Sequence, residues 1–168
     1  MKEYSYIEGQ PLTTLTLSPH WFQWIIDNLS GILVCGLSFW VFALCSFHYH
    51  EYFCIVWLFV SLYLLYSIVG FARIEYVVTS EQLILLRGVV SHSTDYVELY
   101  RVVDYQQSQN VLQQVARLKT VIIYSGDRNN PKVELIGMRA QDDVVSFIRQ
   151  RVEINKRRKG IYEITNRF

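Results

Sequence analysis

The chain has 168 residues, of which 51% are hydrophobic, 15% are aromatic and 18% are charged, with a formal net charge of +1. This charge content is low for a soluble protein of this length. The length allows a membrane hairpin and one small domain but excludes a large or multidomain soluble enzyme.

The first segment, residues 1–28, is predicted to be a cytoplasmic or interfacial segment. Up to Thr16 its sequence offers at most a short extended piece, to which we assign no function. A helix is expected from Ser18 onwards, with Ser18 as its cap and Pro19 at its first position. The two Trp residues that follow suit a membrane interface.

Two apolar runs come next, at residues 29–47 and 53–72, and they contain 19 and 20 residues without a charge. As helices they would be about 28 and 30 Å long, which matches a hydrocarbon core of about 30 Å. We therefore predict two transmembrane helices, joined by a periplasmic turn at residues 48–52. Two buried helices of a soluble core are the alternative, although such helices normally carry a polar face.

A secretory signal peptide fits poorly, because the first run begins near residue 29 and follows the acidic Asp27. The three cysteines, Cys35, Cys45 and Cys54, lie in or beside the apolar runs, and an odd number cannot pair fully within one chain. They are interpreted as small apolar residues, with palmitoylation of Cys54 as the alternative.

The basic residues predict the orientation. Of the 16 Lys and Arg residues, 15 lie at or after Arg73, and the turn between the apolar runs has none. The positive-inside rule then places both termini in the cytoplasm. After Ala72 the chain has 15 basic and 11 acidic residues, a difference of +4 that suits a domain beside an anionic leaflet.

The stretch from Arg73 to Val90 is not a third crossing. It contains Arg73, Glu75, Glu81 and Arg87, and each charge near a bilayer centre costs about 2.5–3.5 kcal/mol. Its short pieces, rich in Val, Ile, Leu and Tyr, alternate with a period near two. They predict an antiparallel hairpin of strands at residues 73–78 and 82–87, with a turn at 79–81.

The strand pattern continues to residue 137, where it gives way to a helical one. Further strands are predicted at residues 91–99, 100–109, 118–125 and 132–137, and a sandwich or partly open barrel follows from their spacing. Apolar residues at helical spacing then predict an amphipathic helix at 140–159, with Asp142 and Asp143 in its first turn and bases in its last. The predicted domain is 73–159 and the tail is 160–168.

These residues resemble a known family, the bacterial pleckstrin-homology (PH)-like domain of the second type, a membrane-flanked family. The resemblance covers about residues 73–152, and the preceding hairpin also suits the family. It implies an all-β PH-like sandwich or partly open barrel capped by a C-terminal amphipathic helix and attached to a membrane α-helical hairpin. The matching positions are Tyr76, Thr79, Gly88, Leu99, Arg101, Val102, Asp104, Gln107 and Ser108.

Two departures from the family pattern bear on function. The stretch Leu112–Leu118 replaces a Gly-rich step, so a different local turn is expected there. Eukaryotic PH domains that bind phosphoinositides carry basic residues in their first hairpin loop, whereas the loop at Thr79–Gln82 has none. The resemblance therefore does not imply phosphoinositide binding, and a fold alone would not establish it.

Catalytic, cofactor and metal sites are not predicted. The turn His48–Glu51 could offer metal ligands, but two His and one Glu in four residues make an incomplete site. The sequence has no Gly-rich phosphate loop, no CxxC pair and no HExxH motif. Ser125-Gly126-Asp127 is interpreted as a turn, since no His is placed beside it by the sequence.

Two stretches are candidate interaction sites. A basic cluster at the end of the C-terminal helix either completes the helix dipole or contacts anionic lipid, with nucleic-acid binding as a minor alternative; it comprises Lys156, Arg157, Arg158 and Lys159. A polar stretch with strand residues could form a sheet edge that pairs with another chain, as a candidate partner strand; it comprises Val102, Val103, Asp104, Tyr105, Gln107 and Ser108.

Together these features predict a non-enzymatic integral protein of the bacterial inner membrane that presents its domain as a scaffold or self-assembly module. The bilayer and a homo-oligomer or membrane-protein partner are the expected partners, with no nucleic acid, small-molecule substrate or cofactor. An anionic-lipid-sensing regulator is the alternative. A membrane-embedded enzyme or transporter subunit is disfavoured, because neither apolar run contains an ionisable Asp, Glu, Lys, Arg or His.

Overall fold

The computed structural model describes residues 14–44 and 50–161, which form two antiparallel sheets and their associated helices, consistent with a PH-like β-sandwich. The elements in chain order are β1 (Leu15–Leu17), α1 (Trp21–Asp27), α2 (Leu29–Leu44), α3 (His50–Ala72), β2 (Glu75–Val78), β3 (Gln82–Arg87), β4 (Ser93–Glu98), a 3₁₀ turn (Leu99–Arg101), β5 (Val102–Ser108), α4 (Val111–Val115), β6 (Leu118–Ser125), β7 (Lys132–Arg139) and α5 (Val144–Arg158).

The first sheet has the order β1-β2-β3-β4, and the second has the order β5-β6-β7. Strand β1 pairs with β2, with Leu15 opposite Val78 and Leu17 opposite Tyr76. The three helices α1–α3 therefore lie within the connection between β1 and β2. The turn at Thr79–Gln82 joins β2 and β3 as the predicted hairpin, and because β1 comes before it, it is the second strand connection of the sandwich.

The core lies between the two sheets and beneath α5. It contains apolar side chains from β2 to α5, which are almost completely buried: Tyr76, Val78, Leu83, Leu85, Val97, Leu99, Val102, Val121, Ile123, Val133, Leu135, Met138, Val144, Ile148 and Val152. Each such side chain contributes about 1.5–3 kcal/mol when it is fully buried. Tyr76 also joins the two sheets, because its hydroxyl accepts a hydrogen bond of 3.2 Å from the Ile136 amide of β7.

Helix α5 is attached to the turn between β2 and β3 by two buried polar side chains. The Arg151 guanidinium donates to the carbonyl oxygens of Val78 and Thr79 at 2.7 and 2.8 Å. The Asn155 amide donates to the Ser80 carbonyl oxygen at 2.6 Å. These bonds satisfy carbonyl groups at a strand end, so they fix the position of α5 across the sandwich.

The N-terminus of α5 differs in detail from the prediction. Asp143 is the N-cap, and its carboxylate accepts hydrogen bonds from the Ser146 hydroxyl and amide at 2.6 and 3.2 Å. These bonds hold the pKa of the Asp143 carboxyl below its ordinary value. Asp142 precedes the cap, so neither acid lies in the first turn, where both were expected.

Helix α1 begins at Trp21, and its N-cap is His20 rather than the predicted Ser18. The His20 Nδ1 atom accepts a hydrogen bond from the Phe22 amide at 3.3 Å. A Ser18 cap with Pro19 at the first helical position was therefore wrong, because the chain stays extended through His20. That extension brings the His20 amide within 2.9 Å of the Gly137 carbonyl oxygen.

The contact between α1 and the sandwich is closely fitted. Gln23, which is 2% exposed, accepts a hydrogen bond of 2.9 Å from the side-chain amide of Gln113 in α4. At Gly137 the backbone has φ +70°, and a Cβ atom there would lie 2.8 Å from the Gln23 Cβ. Only glycine adopts this conformation without strain and also leaves room for α1.

Helices α2 and α3 run antiparallel and contact each other along their length. Gly31 faces Leu64, and the rings of Phe39 and Trp57 are 6.3 Å apart. Near the sandwich, the Ser67 hydroxyl donates to the Asn28 side chain and accepts from the Trp24 indole, both at 3.1 Å. Many of the remaining apolar side chains of both helices are exposed.

One helix of the described ranges, Cys54–Ala72, is by itself long and apolar enough to cross a membrane. Helix α1 and residues 29–42 meet at an angle of 68°, and they provide a second candidate span if the two are counted together as one bent helix. The predicted second run is thus confirmed as a helix of suitable length and composition. Two crossings stay a prediction, and residues 45–49 of the predicted first span and turn lie outside the described ranges.

Strands β2–β7 agree with the six predicted pieces to within two residues at each end. Strand β5 ends at Ser108, and Asn110 then caps the short helix α4 with a hydrogen bond of 2.7 Å from the Gln113 amide. A different local turn was expected at Leu112–Leu118, and the structure has the short helix α4 there. The capping box formed by Asn110 and Gln113 outweighs the strand preference of the Val residues there.

We predict that Gly137→Ala lowers the free energy of unfolding by roughly 1–3 kcal/mol, because it strains the backbone and displaces α1. Thermal unfolding of the detergent-solubilised full chain, followed by tryptophan fluorescence, measures the change. Gly160→Ala tests the dihedral angle alone, since φ is +68° there but no atom lies within 4 Å of the added Cβ. An equal effect of the two substitutions would show that the docking of α1 contributes nothing.

Candidate functional site

Strand β5 lies at the edge of the second sheet, and its side chains are mostly exposed. Val103 is 69% exposed and sits where the pairing with β6 is irregular, between Val102 and Asp104. Within the described ranges no strand pairs with the outer edge of β5. An unpaired edge presents backbone donors and acceptors to another chain.

One amide of this edge already has a partner. The Asp104 carboxylate accepts a hydrogen bond of 2.7 Å from the Tyr105 amide. This bond indicates that the Tyr105 amide points away from β6. A carboxylate at such a position protects the edge locally against unspecific strand pairing.

A groove of about 420 Å³ separates β5 from α5. Its floor is apolar, and its walls carry three basic and two acidic side chains. The lining residues are Val102, Val103, Asp104, Tyr105, Arg149, Val152, Glu153, Lys156, Arg157 and Ile161. An apolar floor, charges of both signs and an open strand edge suit an extended peptide segment better than a small anion.

Tyr105 is the most unusual side chain of the groove. Its hydroxyl oxygen is buried and forms no hydrogen bond with any described residue. Burial raises the pKa of Tyr105 to about 12, although the Arg149 guanidinium, 5.5 Å from the ring centroid, opposes the shift. A buried hydroxyl without a partner costs about 1–3 kcal/mol, so this atom is a potential contact for a ligand.

The basic cluster predicted from the sequence is divided by the structure. Lys156 and Arg157 line the groove, whereas the Lys159 ammonium lies 3.8 Å from the Tyr100 ring centroid. Arg158 is exposed outside the groove. The cluster therefore does not form a single basic surface.

The cluster also lies at the end of the sandwich opposite to α3, here called the far end. Asn155 contacts Ser80 in the turn between β2 and β3, while β2 begins three residues after α3. Strand β3 extends from this turn back toward α3 and is roughly 17 Å long at about 3.3 Å per residue. A bilayer crossed by α3 would thus face the other end of the sandwich.

The predicted partner strand is divided as well. Val102, Val103, Asp104 and Tyr105 line the groove, but Gln107 and Ser108 are exposed at the other end of β5, paired with Val121 and Thr120. The structure thus brings the first half of the strand segment together with half of the basic cluster. Sequence periodicity could not predict that contact, because it joins residues about fifty positions apart.

No other cluster in the described ranges has the form of a catalytic or metal site. No group of three or more His, Cys, Asp or Glu residues lies close enough there to hold a metal ion. The Ser125 hydroxyl accepts a hydrogen bond of 3.0 Å from the Asp127 amide, as expected for a turn. The candidate metal ligand His48 lies outside the described residues.

Comparison with known proteins gave one match. The family model described as "Bacterial PH domain" matches residues 28–152, which is about three quarters of the chain. The match includes α2 and α3 as well as β2–β7 and most of α5. No curated protein and no solved structure matches the chain.

We predict that Tyr105→Phe leaves the free energy of unfolding unchanged or raises it by about 1 kcal/mol, because it removes a buried hydroxyl without a partner. The effect of pH has a defined sign. Unfolded Tyr loses its proton near pH 10 and native Tyr105 near pH 12, so the parent loses stability as the pH rises through this window. The variant Tyr105→Phe should not show the part of this pH-dependent loss of stability that Tyr105 causes.

Denaturant titrations at pH 8 and pH 11 measure both effects. Tyr76→Phe is the matched control, because the Tyr76 hydroxyl has a partner in the Ile136 amide. That substitution should cost about 1 kcal/mol at pH 8. A similar loss for Tyr105→Phe would contradict the assignment of an unpartnered hydroxyl.

Proposed function

The chain belongs to the bacterial PH domain family, and from this premise we propose that it is a non-enzymatic integral membrane protein that presents its domain as a scaffold. Domains of this family are in general non-catalytic binding modules. The scaffold would bind an extended segment of a second copy or of a membrane-protein partner along β5. The observation that carries the proposal is the open groove between β5 and α5.

The pairing of β1 with β2 supports two membrane crossings. Both strands belong to one sheet and must lie on the same side of a bilayer. The chain between them must therefore cross an even number of times. If α3 crosses, then the segment of α1 and α2 also crosses, which favours the hairpin over a single span.

The exposed apolar side chains of the helices support the same proposal. In α2 and α3, Trp40 and Phe59 are each 66% exposed, and none of the window in Cys54–Ala72 is buried. Such a surface is unfavourable in water and is satisfied by lipid acyl chains. With the excess of Lys and Arg after Ala72, this favours a bacterial inner-membrane protein with cytoplasmic termini.

Peptide binding is favoured over lipid sensing through Lys156–Lys159. Those residues lie at the far end of the sandwich, and two of them line the groove. Attraction to an anionic leaflet falls off within about 10 Å at ordinary ionic strength. The cluster is therefore better placed to contact acidic side chains of a protein partner.

We predict that a photoreactive benzoylphenylalanine at Val103 crosslinks the full chain, in native membranes, to a second copy or to one membrane protein. Val103 lies on the groove edge of β5. The same residue at Gln150, which is exposed on α5 but does not line the groove, is the control. Equal crosslinking from both positions would contradict binding in the groove.

A charge on the edge of β5 should weaken this binding. We predict that Val103→Lys lowers the crosslinked fraction, probed from a photoreactive residue at Ile161 of the same groove. A loss of about tenfold corresponds to about 1.4 kcal/mol. Gln150→Lys adds the same charge outside the groove and should leave the fraction unchanged, whereas equal losses would indicate unspecific charge repulsion.

A further inference from the structure

The turn between β3 and β4, residues Gly88–His92, lies against the last turns of α3. A Cβ atom on Gly70 would be only 3.3 Å from the Val89 Cγ2 atom. Gly70 is two residues from the end of α3 and belongs to the apolar segment Cys54–Ala72. The turn therefore reaches the level of the apolar segment and does not stay above it.

The turn has a fixed conformation and an exposed apolar side chain. Gly88 has φ +120°, and a Cβ atom there would overlap the Ser91 carbonyl oxygen, so only glycine fits. Val90, between them, is 85% exposed, the largest exposed fraction among the large apolar side chains of the described ranges. A turn of this shape holds Val90 away from the sandwich, next to Val89, which contacts the end of α3.

Helix α1 carries exposed aromatic side chains close to the end of α3. Trp21 and Phe22 are 60% and 43% exposed. The neighbouring Trp24 donates a hydrogen bond of 3.1 Å to the Ser67 hydroxyl of α3. Exposed Trp and Phe beside an apolar helix are typical of the boundary between headgroups and acyl chains.

Two arginines lie close to the same end of α3. Arg73 follows α3 directly, and Arg87 ends β3, opposite Ser93. Both are exposed, and neither takes part in the salt bridges of the described residues. Glu75 is exposed near them and reduces the local charge. Asp27, exposed at the end of α1 next to the Asn28 that contacts Ser67 of α3, reduces it further. The arginines therefore suit individual contacts with headgroup phosphates and do not form a net positive surface.

We propose that the turn Gly88–His92 inserts into the leaflet in which α3 ends, with Val90 at the boundary of the acyl chains and Arg73 and Arg87 at the level of the phosphates. Val89 contacts the end of α3 and the adjacent Val90 extends the same apolar surface, so the partner of the turn is the phospholipid bilayer itself. The inference rests on the proposed crossing by α3. It adds a third membrane contact that orients the sandwich.

The test uses the full chain in lipid nanodiscs of phosphatidylcholine and phosphatidylglycerol. Cys35, Cys45 and Cys54 are replaced by Ala, and an environment-sensitive nitrobenzoxadiazole label is attached to a single new cysteine. Val90→Cys places the label in the turn, and Ser91→Cys is a second position in case the first substitution perturbs the fold. Lipids with a doxyl group at acyl carbon 5 report depth by quenching the label.

We expect strong quenching and a blue-shifted emission at positions 90 and 91. Val103→Cys, at the far end of the sandwich, should give neither, and Phe59→Cys, within α3, should be quenched by lipids labelled deeper in the chain. Quenching at 59 without quenching at 90 and 91 would overturn the inference and leave the crossing by α3 standing. Absence of quenching at positions 59, 90 and 91 would overturn both the inference and the proposed crossing by α3.

Discussion

The docking of α1 on the sandwich is the contact on which the arrangement of helices and domain depends. Loss of the hydrogen bond between Gln23 and Gln113 would cost free energy, because the buried Gln23 Oε1 would lose its donor, although Gln23 still donates to Asp27 and Gln113 to Thr120. Gly137 allows the close approach that this pair requires. The helices are thereby held at two places, by this contact and by the direct passage from α3 into β2.

The sequence was sufficient to predict the position of the elements whose apolar residues recur at a regular period. Strands β3 and β6 occur at their predicted bounds, and the six strands β2–β7 correspond to the six predicted ranges, because alternation along a half-buried strand is a local property. The family positions also acquire physical meaning: Tyr76 joins the sheets, Thr79 bonds the Gln82 amide and carbonyl groups in the turn, and Gly88 has a positive φ.

The features that the sequence did not predict depend on contacts between distant residues. The three residues of β1 are too few to show a period, and only their pairing with β2 identifies them as part of the sandwich. The sequence indicated the two sides of the groove only as separate candidate sites, the partner strand and the basic cluster. No local pattern shows that Tyr105 and Lys156 line one cavity. The His20 cap was missed because Ser-Pro is the commoner start of a helix.

The position of α1–α3 between β1 and β2 has a consequence for biosynthesis. During synthesis β1 leaves the ribosome first, but it has no partner until both helices have been made and β2 follows. If α2 were inserted and α3 were not, β1 and β2 would be separated by the bilayer and the first sheet could not form. In the proposed hairpin topology the sandwich can be completed only if α2 and α3 are both inserted or both left out of the bilayer. A chain in which only one of them is inserted would expose unpaired strands to the quality-control proteases of the cell.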